Sequence, residues 1–322
     1  MSLVTKMRKE KAQMAEGKER RALNKRRREM RQIRSAVGYN FMGFFRNSRT
    51  VITFLLGIII CFLLSSRVME VTERFGTSMQ AAEPFIWTFG DATAILLVSL
   101  LLIFLFSDLP KLTAFTPFYL MRMTKRRWLA AQFLYIVLVT ALYVGFTLLV
   151  TVLLCMKRSF AGNLWSETAA ILGYSSVGKD LNVPSTVKVM ESISPYGCML
   201  QAGALMLGYS LTLGFLILLG NLLAGRKYGM MFALGYSLYG FLLDPEVLGK
   251  LLGMEEYEMY RVRSVVGWIS PLNNAVYGMH DFGYDNLPTV GQSLLIFGGM
   301  LFLMYLLSMR ALRRYNFTFL GG

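Results

Sequence analysis

Six apolar runs dominate the chain: Val51 to Ser66, Ala92 to Phe106, Trp128 to Met156, Met199 to Ala224, Tyr228 to Leu243 and Gln292 to Met309. A helix needs about 20 apolar residues to cross ~30 Å of hydrocarbon. The pattern therefore predicts six transmembrane helices, the short second and fifth runs each borrowing a turn from their flanks. An even number of crossings puts both termini on one side.

The polar stretches between the runs are unequal. About 25 residues follow the first run, about 40 the third and about 45 the fifth. The last stretch contains Val265 to Ile269 and Leu272 to Met279, apolar but too short to span and interrupted by Pro271 and Pro288. With Tyr257, Tyr260, Trp268 and Tyr277, such pieces suit short external helices hugging the membrane at headgroup level, where amphipathic rings are favoured. Ahead of the first run lies GYNFMGFFRNSRT, with Tyr39, Phe41, Met42, Phe44 and Phe45 preceding Arg46 and Arg49. It reads as an interfacial elbow helix, or as the start of the first transmembrane helix, with the two arginines favouring the elbow.

Composition adds a direction. The 322 residues are 55% hydrophobic with a mean hydropathy of +0.47, yet the net charge is +15, a pairing seldom seen in soluble enzymes. Lys and Arg near a span stay on the cytoplasmic side. An inside N-terminus places 25 of the 34 Lys/Arg inside and 14 of the 19 acids outside, so both termini are expected in the cytoplasm.

Recognisable chemistry is sparse. Cys61, Cys155 and Cys198 show no metal or disulfide spacing and read as buried thiols, although Cys155 and Cys198 bracket one external loop and could pair. GYSSVGKD (Gly173 to Asp180) imitates a phosphate-binding loop but has Asp180 where a magnesium-binding Ser or Thr belongs, and it follows no strand. His280 is the only histidine and, beside Asp281, reads as a surface residue, so no catalytic triad or zinc site is expected. The spans hold almost no ionisable residues. Asp91, Asp108 and Asp244 fall at their ends, which argues against ion-coupled transport.

Small residues recur at four-residue spacing: Ala204 and Gly208, Ser210 and Gly214, then Gly229, Ala233 and Ser237. Such rows let helices approach closely, within one subunit in preference to between two. In the loop SDLPKLTAFTPFYLMRMTKRRWLAAQF, an aromatic patch (Phe115, Phe118, Tyr119) is rimmed by Arg122, Lys125, Arg126 and Arg127. That suits docking of a cytoplasmic protein or, nearly as well, anchoring to anionic lipid.

The elbow, the S-D-L-P-K…R-M-T-K-R-R-W loop and the S-P-L-N-N string (Ser270 to Asn274) resemble the permease subunits of the bacterial ABC-2 type exporter family over residues 38 to 315. The resemblance implies an all-α integral membrane protein of the bacterial cytoplasmic membrane, six-helical and paired with a second permease, identical or related. Each permease would engage a separate cytoplasmic ATP-binding subunit, so no ATPase site, cofactor or metal is expected in this chain. Docking then falls on Tyr39, Phe41, Phe44, Phe45, Phe115, Phe118, Tyr119, Arg122, Lys125, Arg126 and Arg127. Three segments follow: a basic cytoplasmic tail (1–36), a permease domain (37–315) and a short cytoplasmic C-terminus (316–322). The tail lacks an apolar face and suits a solvated helix or a tether to anionic lipid, with no specific nucleic acid expected. A membrane scaffold that recruits cytoplasmic partners without transport is the alternative.

Overall fold

The computed structural model describes residues 3–111, 116–180, 183, 187–225, 228–243, 245–253, 259–283 and 286–315. Among the described residues the regular structure is helical apart from one two-residue ladder. In chain order the helices are α1 (Leu3–Phe41), α2 (Ser48–Phe75), α3 (Glu83–Thr88), α4 (Ala92–Leu105), α5 (Thr116–Leu120), α6 (Lys125–Cys155) and α7 (Glu167–Tyr174). They continue as α8 (Val177–Asp180), α9 (Val187–Ser192), α10 (Pro195–Ala224), α11 (Tyr228–Leu242), α12 (Pro245–Leu251), α13 (Met259–Ile269) and α14 (Val290–Arg314).

Each of the six apolar runs falls within or largely within a helix, but four are long and apolar enough to cross a membrane: α2, α6 with its 3-10 extension to Arg158, α10 and α14. The 14 residues of α4 and 15 of α11 reach only about 21 and 22 Å at 1.5 Å per residue, short of ~30 Å. Local chemistry sets the ends of the long helices. Asn47 caps α2 by accepting from the Arg49 amide at 3.0 Å, and Gly76 closes it at φ +64°, where a Cβ would be strained. Thr289 and Gln292 form a reciprocal capping box on α14.

Two compact units make up the chain. The first holds the described residues up to Phe44 together with Lys111–Tyr135; the second holds Phe45–Pro110 and the described residues from Ile136 onward. In the first unit, α1 runs without a break through the expected boundary at residue 36: Gly17 and Gly38 inside it keep helical backbone, no proline occurs, and the first positive-φ residue is Gly43 at φ +74°. The basic tail and the first half of the expected elbow are therefore one helix. Residues 316–322 lie outside the described residues.

In the second unit α10 is central. Of its most apolar stretch 72% is buried, against 17% for α14. The small-residue rows explain how its neighbours approach: a Cβ at Gly208 would strike Phe297 of α14, one at Gly214 would strike Ile136 and Phe106, and one at Gly229 would strike the Ile217 carbonyl and Asn221. These rows serve packing inside the chain. In lipid, where burying apolar surface gains little, such close van der Waals contact holds helices together. Asn221 adds polar ties, accepting from the Gly229 amide at 2.8 Å and donating to the Leu109 carbonyl at 2.5 Å.

The segments after α2 and α6 pack into one cap instead of remaining separate loops. Strands β1 (Met79–Gln80) and β2 (Ser159–Phe160) pair in parallel, Met79 opposite Ser159 and Gln80 opposite Phe160. Buried Glu83 accepts from the Ser166 amide (2.8 Å) and hydroxyl (2.6 Å), and burial raises its pKa despite those bonds. The segment before α14 is also less superficial than its sequence suggests. Trp268 and Tyr260 are exposed, but Leu272, Ala275, Val276 and Tyr277 are buried, with Leu272 and Pro271 against Gly240 of α11. Tyr257 and Asp244 lie outside the described residues.

Candidate functional site

The first unit gathers several of the residues expected to dock a partner. Arg127 pairs with Glu29 of α1 at 2.6 Å and donates to Gln32 at 2.8 Å, while Gln32 donates to the Arg122 carbonyl at 3.0 Å. Phe41 meets Tyr135 edge-on at 5.0 Å, and Lys111 sits over the Phe44 and Tyr135 rings. Charge-assisted and aromatic contacts thus tie the C-terminal half of α1 to the loop and the start of α6.

That arrangement sorts the expected residues. Phe118 is 63% exposed and neighbouring Met121 78%, with Arg122, Lys125 and Arg126 exposed beside them and Tyr39 exposed on α1 and Met42 just after it. Phe45, 71% exposed, belongs to the second unit. Phe44 is only 2% exposed, packed against Phe41 at 5.5 Å, and Arg127 is spent on Glu29 and Gln32. Phe44 presents almost no surface, and Arg127, its side chain 27% exposed, is engaged inside the unit, so both help to hold it together. Phe41 is half-buried; Phe115 lies outside the described residues, and Tyr119 is described only as a helical position of α5.

A second feature, unsignalled by the sequence, is a buried polar node ahead of α14. His280 is 1% exposed, so the surface reading of this residue is wrong. Its Nδ1 lies 3.0 and 3.1 Å from the Val276 and Tyr277 carbonyls, and its Nε2 lies 3.0 Å from the Ser293 hydroxyl. Ser293 in turn donates to Asn274 Oδ1 at 2.7 Å, and Asn274 Nδ2 donates to the Gly267 and Ser270 carbonyls at 3.1 and 2.9 Å. Carbonyls only accept, so Nδ1 carries the proton of the neutral ring and Nε2 is an acceptor. The single Ser293 proton therefore faces two acceptors. Burial lowers the His280 pKa against the pull of those carbonyls, keeping the ring neutral.

The node ties the segment ahead of α14 together. Tyr277 extends it to α10 by donating to Gln201 at 3.0 Å. Elsewhere, all three cysteines are buried and free, and Gly173 to Asp180 runs from the end of α7 through α8 without the strand–loop–helix geometry of a phosphate cradle. Among the described residues no group of three His, Cys, Asp or Glu could hold a metal.

No protein-family model matches the chain, and no curated protein matches it.

Proposed function

We propose that the chain is the membrane-spanning permease subunit of an ABC-2 type exporter, working with a second permease and driven by a separate cytoplasmic ATP-binding subunit. The observation that carries this reading is the first unit, whose internal Arg127–Glu29–Gln32 ties leave Phe118 and Met121 exposed beside Arg122 and Arg126. An exposed apolar anchor rimmed by arginines suits a protein partner. In this reading the chain crosses six times, α4 and α11 lengthened by flanking residues, and both termini face the cytoplasm. Closure of the ATP-binding subunits around ATP pushes on the first unit, and no residue of this chain does covalent chemistry. The buried polar side chains of the long helices are mostly Ser and Thr, such as Ser65, Thr147, Thr212 and Ser308, which supports an energy source outside the spans.

The 39-residue α1, rich in Lys and Arg, favours a second reading, a scaffold that recruits partners without transport. Purification from mild detergent, with mass spectrometry of co-purifying proteins and an ATPase assay, separates the two. The exporter reading expects a stoichiometric nucleotide-binding subunit, lost in Phe118→Ala and in the Arg122→Glu/Arg126→Glu pair. A pure, inactive chain, or unaltered association in both variants, would overturn it.

A further inference from the structure

The polar node ahead of α14 is one hydrogen short. His280 Nδ1 donates to the Val276 and Tyr277 carbonyls, so in the neutral ring Nε2 only accepts. The Asn274 amide cannot turn round to help, because its Nδ2 serves the Gly267 and Ser270 carbonyls and its Oδ1 is left facing Ser293. Two acceptors, Nε2 at 3.0 Å and Oδ1 at 2.7 Å, therefore compete for the single Ser293 proton. His280, Asn274 and Ser293 are each 2% exposed or less, so bulk water does not supply the missing donor.

A second proton on the ring removes the shortage without moving a heavy atom. Nε2–H then donates to Ser293 Oγ, and Ser293 gives its own proton wholly to Asn274 Oδ1. The bond between ring and hydroxyl reverses its direction, and every polar hydrogen of the node has one acceptor side to face. A cavity of ≈ 140 Å³ adjoins the Val276–Met279 backbone and has room for several waters one peptide away from the ring.

Neighbouring charges do not decide this exchange. Among the described residues His280 has no ion pair. Tyr277 lies 6.4 Å from the imidazole, ring centre to ring centre, with Cys198 of α10 bonded to its side chain. Asp281 accepts from the Gly283 amide at 2.7 Å, and Glu83 of α3 is held by Ser166. Arg261 and Arg263 of α13, like Lys188 and Glu191 of α9, are exposed, and α14 carries no titratable residue between Val290 and Met304.

We infer that His280 is a reversible proton-binding site, whose bound proton is held on Ser293 and commits Ser293 to Asn274, fastening the start of α14 to the segment ahead of it. The inference rests on the hydrogen count of the node and is independent of the exporter reading. Burial opposes loading, so the site fills below the ordinary histidine value of 6.5. Acid thus lowers stability against the unfolded chain, where the imidazole protonates freely, while fastening the node within the folded one.

The test is NMR of the full-length protein in detergent micelles, carrying isotope-labelled histidine and purified without a polyhistidine tag, so that the one histidine of the chain gives the only imidazole signals. At alkaline pH the ring nitrogens should report a neutral ring protonated at Nδ1. Acidification should then charge the ring reversibly below pH 6.5, with near-ultraviolet circular dichroism unchanged through the titration. Ser293→Ala removes the acceptor for Nε2–H and should lower the midpoint by about one pH unit; Ser293→Thr keeps the hydroxyl and should leave it near the wild-type value. A neutral ring protonated at Nε2, a ring that charges only as the tertiary signal is lost, or an unchanged midpoint in Ser293→Ala would overturn the proposal. Where Ser293→Ala fails to fold, the wild-type tautomer and titration decide between the same outcomes.

Discussion

Asn274→Ala should unfold the segment ahead of α14 more easily than any neighbouring polar substitution. Asn274 is 2% exposed and makes two strong donations, to Gly267 and Ser270, while receiving the Ser293 hydroxyl. Truncation strips the Gly267 carbonyl of its partner, leaves the Ser270 carbonyl only the Asn274 amide at 3.1 Å, and turns the Ser293 proton to His280. A buried orphan costs about 1–3 kcal/mol and a lost bond to a group that keeps a partner about 1 kcal/mol, so the sum is about 3 kcal/mol. For a chain of this size that corresponds to a fall in Tm of roughly 6 °C. Tryptophan fluorescence during heating in detergent reports it, because Trp268 donates to the Asn286 carbonyl at 3.2 Å within the same segment. Half-buried Asn273 is the control: its truncation should move Tm by no more than about 1 °C, the usual scale of a substitution outside any network. Ser293→Ala alone should cost less, and combined with Asn274→Ala it should be less than additive, since the two share one bond. Equal effects of Asn273→Ala and Asn274→Ala, or full additivity of the pair, would refute the node as the tie that holds this segment.

His280 has a lowered pKa, so its stabilising contribution is present above its ordinary value of 6.5 and is lost as pH falls through the folded value. Tm should therefore drop below pH 6.5 in wild type and drop less in His280→Asn. Glu83 runs the opposite way: its raised pKa gives stability present below its ordinary 4.5 and lost as pH rises through the folded value. Glu83→Gln, which resembles the neutral acid, should flatten Tm against pH over that rise. Gly229→Val should destabilise strongly, because its side chain collides with the Ile217 carbonyl, and detergent unfolding should show the loss. The buried native cysteines should resist maleimide. Single cysteines placed at exposed Phe118 and Leu164 should then label from opposite sides of sealed vesicles if the sequence-predicted orientation is right.

Apolar runs announced the helices well, because hydropathy over 15 to 30 residues is a local signal. Length was legible in part: the second and fifth runs are visibly short, and α4 and α11 end at 14 and 15 residues without the extra turn expected from their flanks. The tail and the first half of the elbow, read as separate pieces, form one helix, since a change in charge composition does not break a helix and the chain leaves it only at the turn around Gly43. What escaped altogether depends on pairing across the chain. Glu83 finds Ser166, Gln80 finds the Gly162 carbonyl, and His280 finds Ser293, none of which a lone residue in its own window reveals. The loop's exposed apolar and basic character was legible in its composition. Which of its residues face outward was not legible, because Phe44 and Arg127 look like Phe45 and Arg126 until their partners are known.

The two-rung ladder between β1 and β2 gives the α2–α6 pair the kinematics of tongs. Both helices run toward the ladder, and the Arg158 guanidinium, donating to the Thr72 carbonyl at 3.4 Å, reinforces the same end. Joined there, a tilt of one against the other displaces the far end most. The 28 residues of α2 form a lever of about 42 Å, so a tilt of ~5° at the ladder moves Ser48 by roughly 4 Å. The ladder thus sets which end of the two helices a tilt leaves in place and which end it displaces.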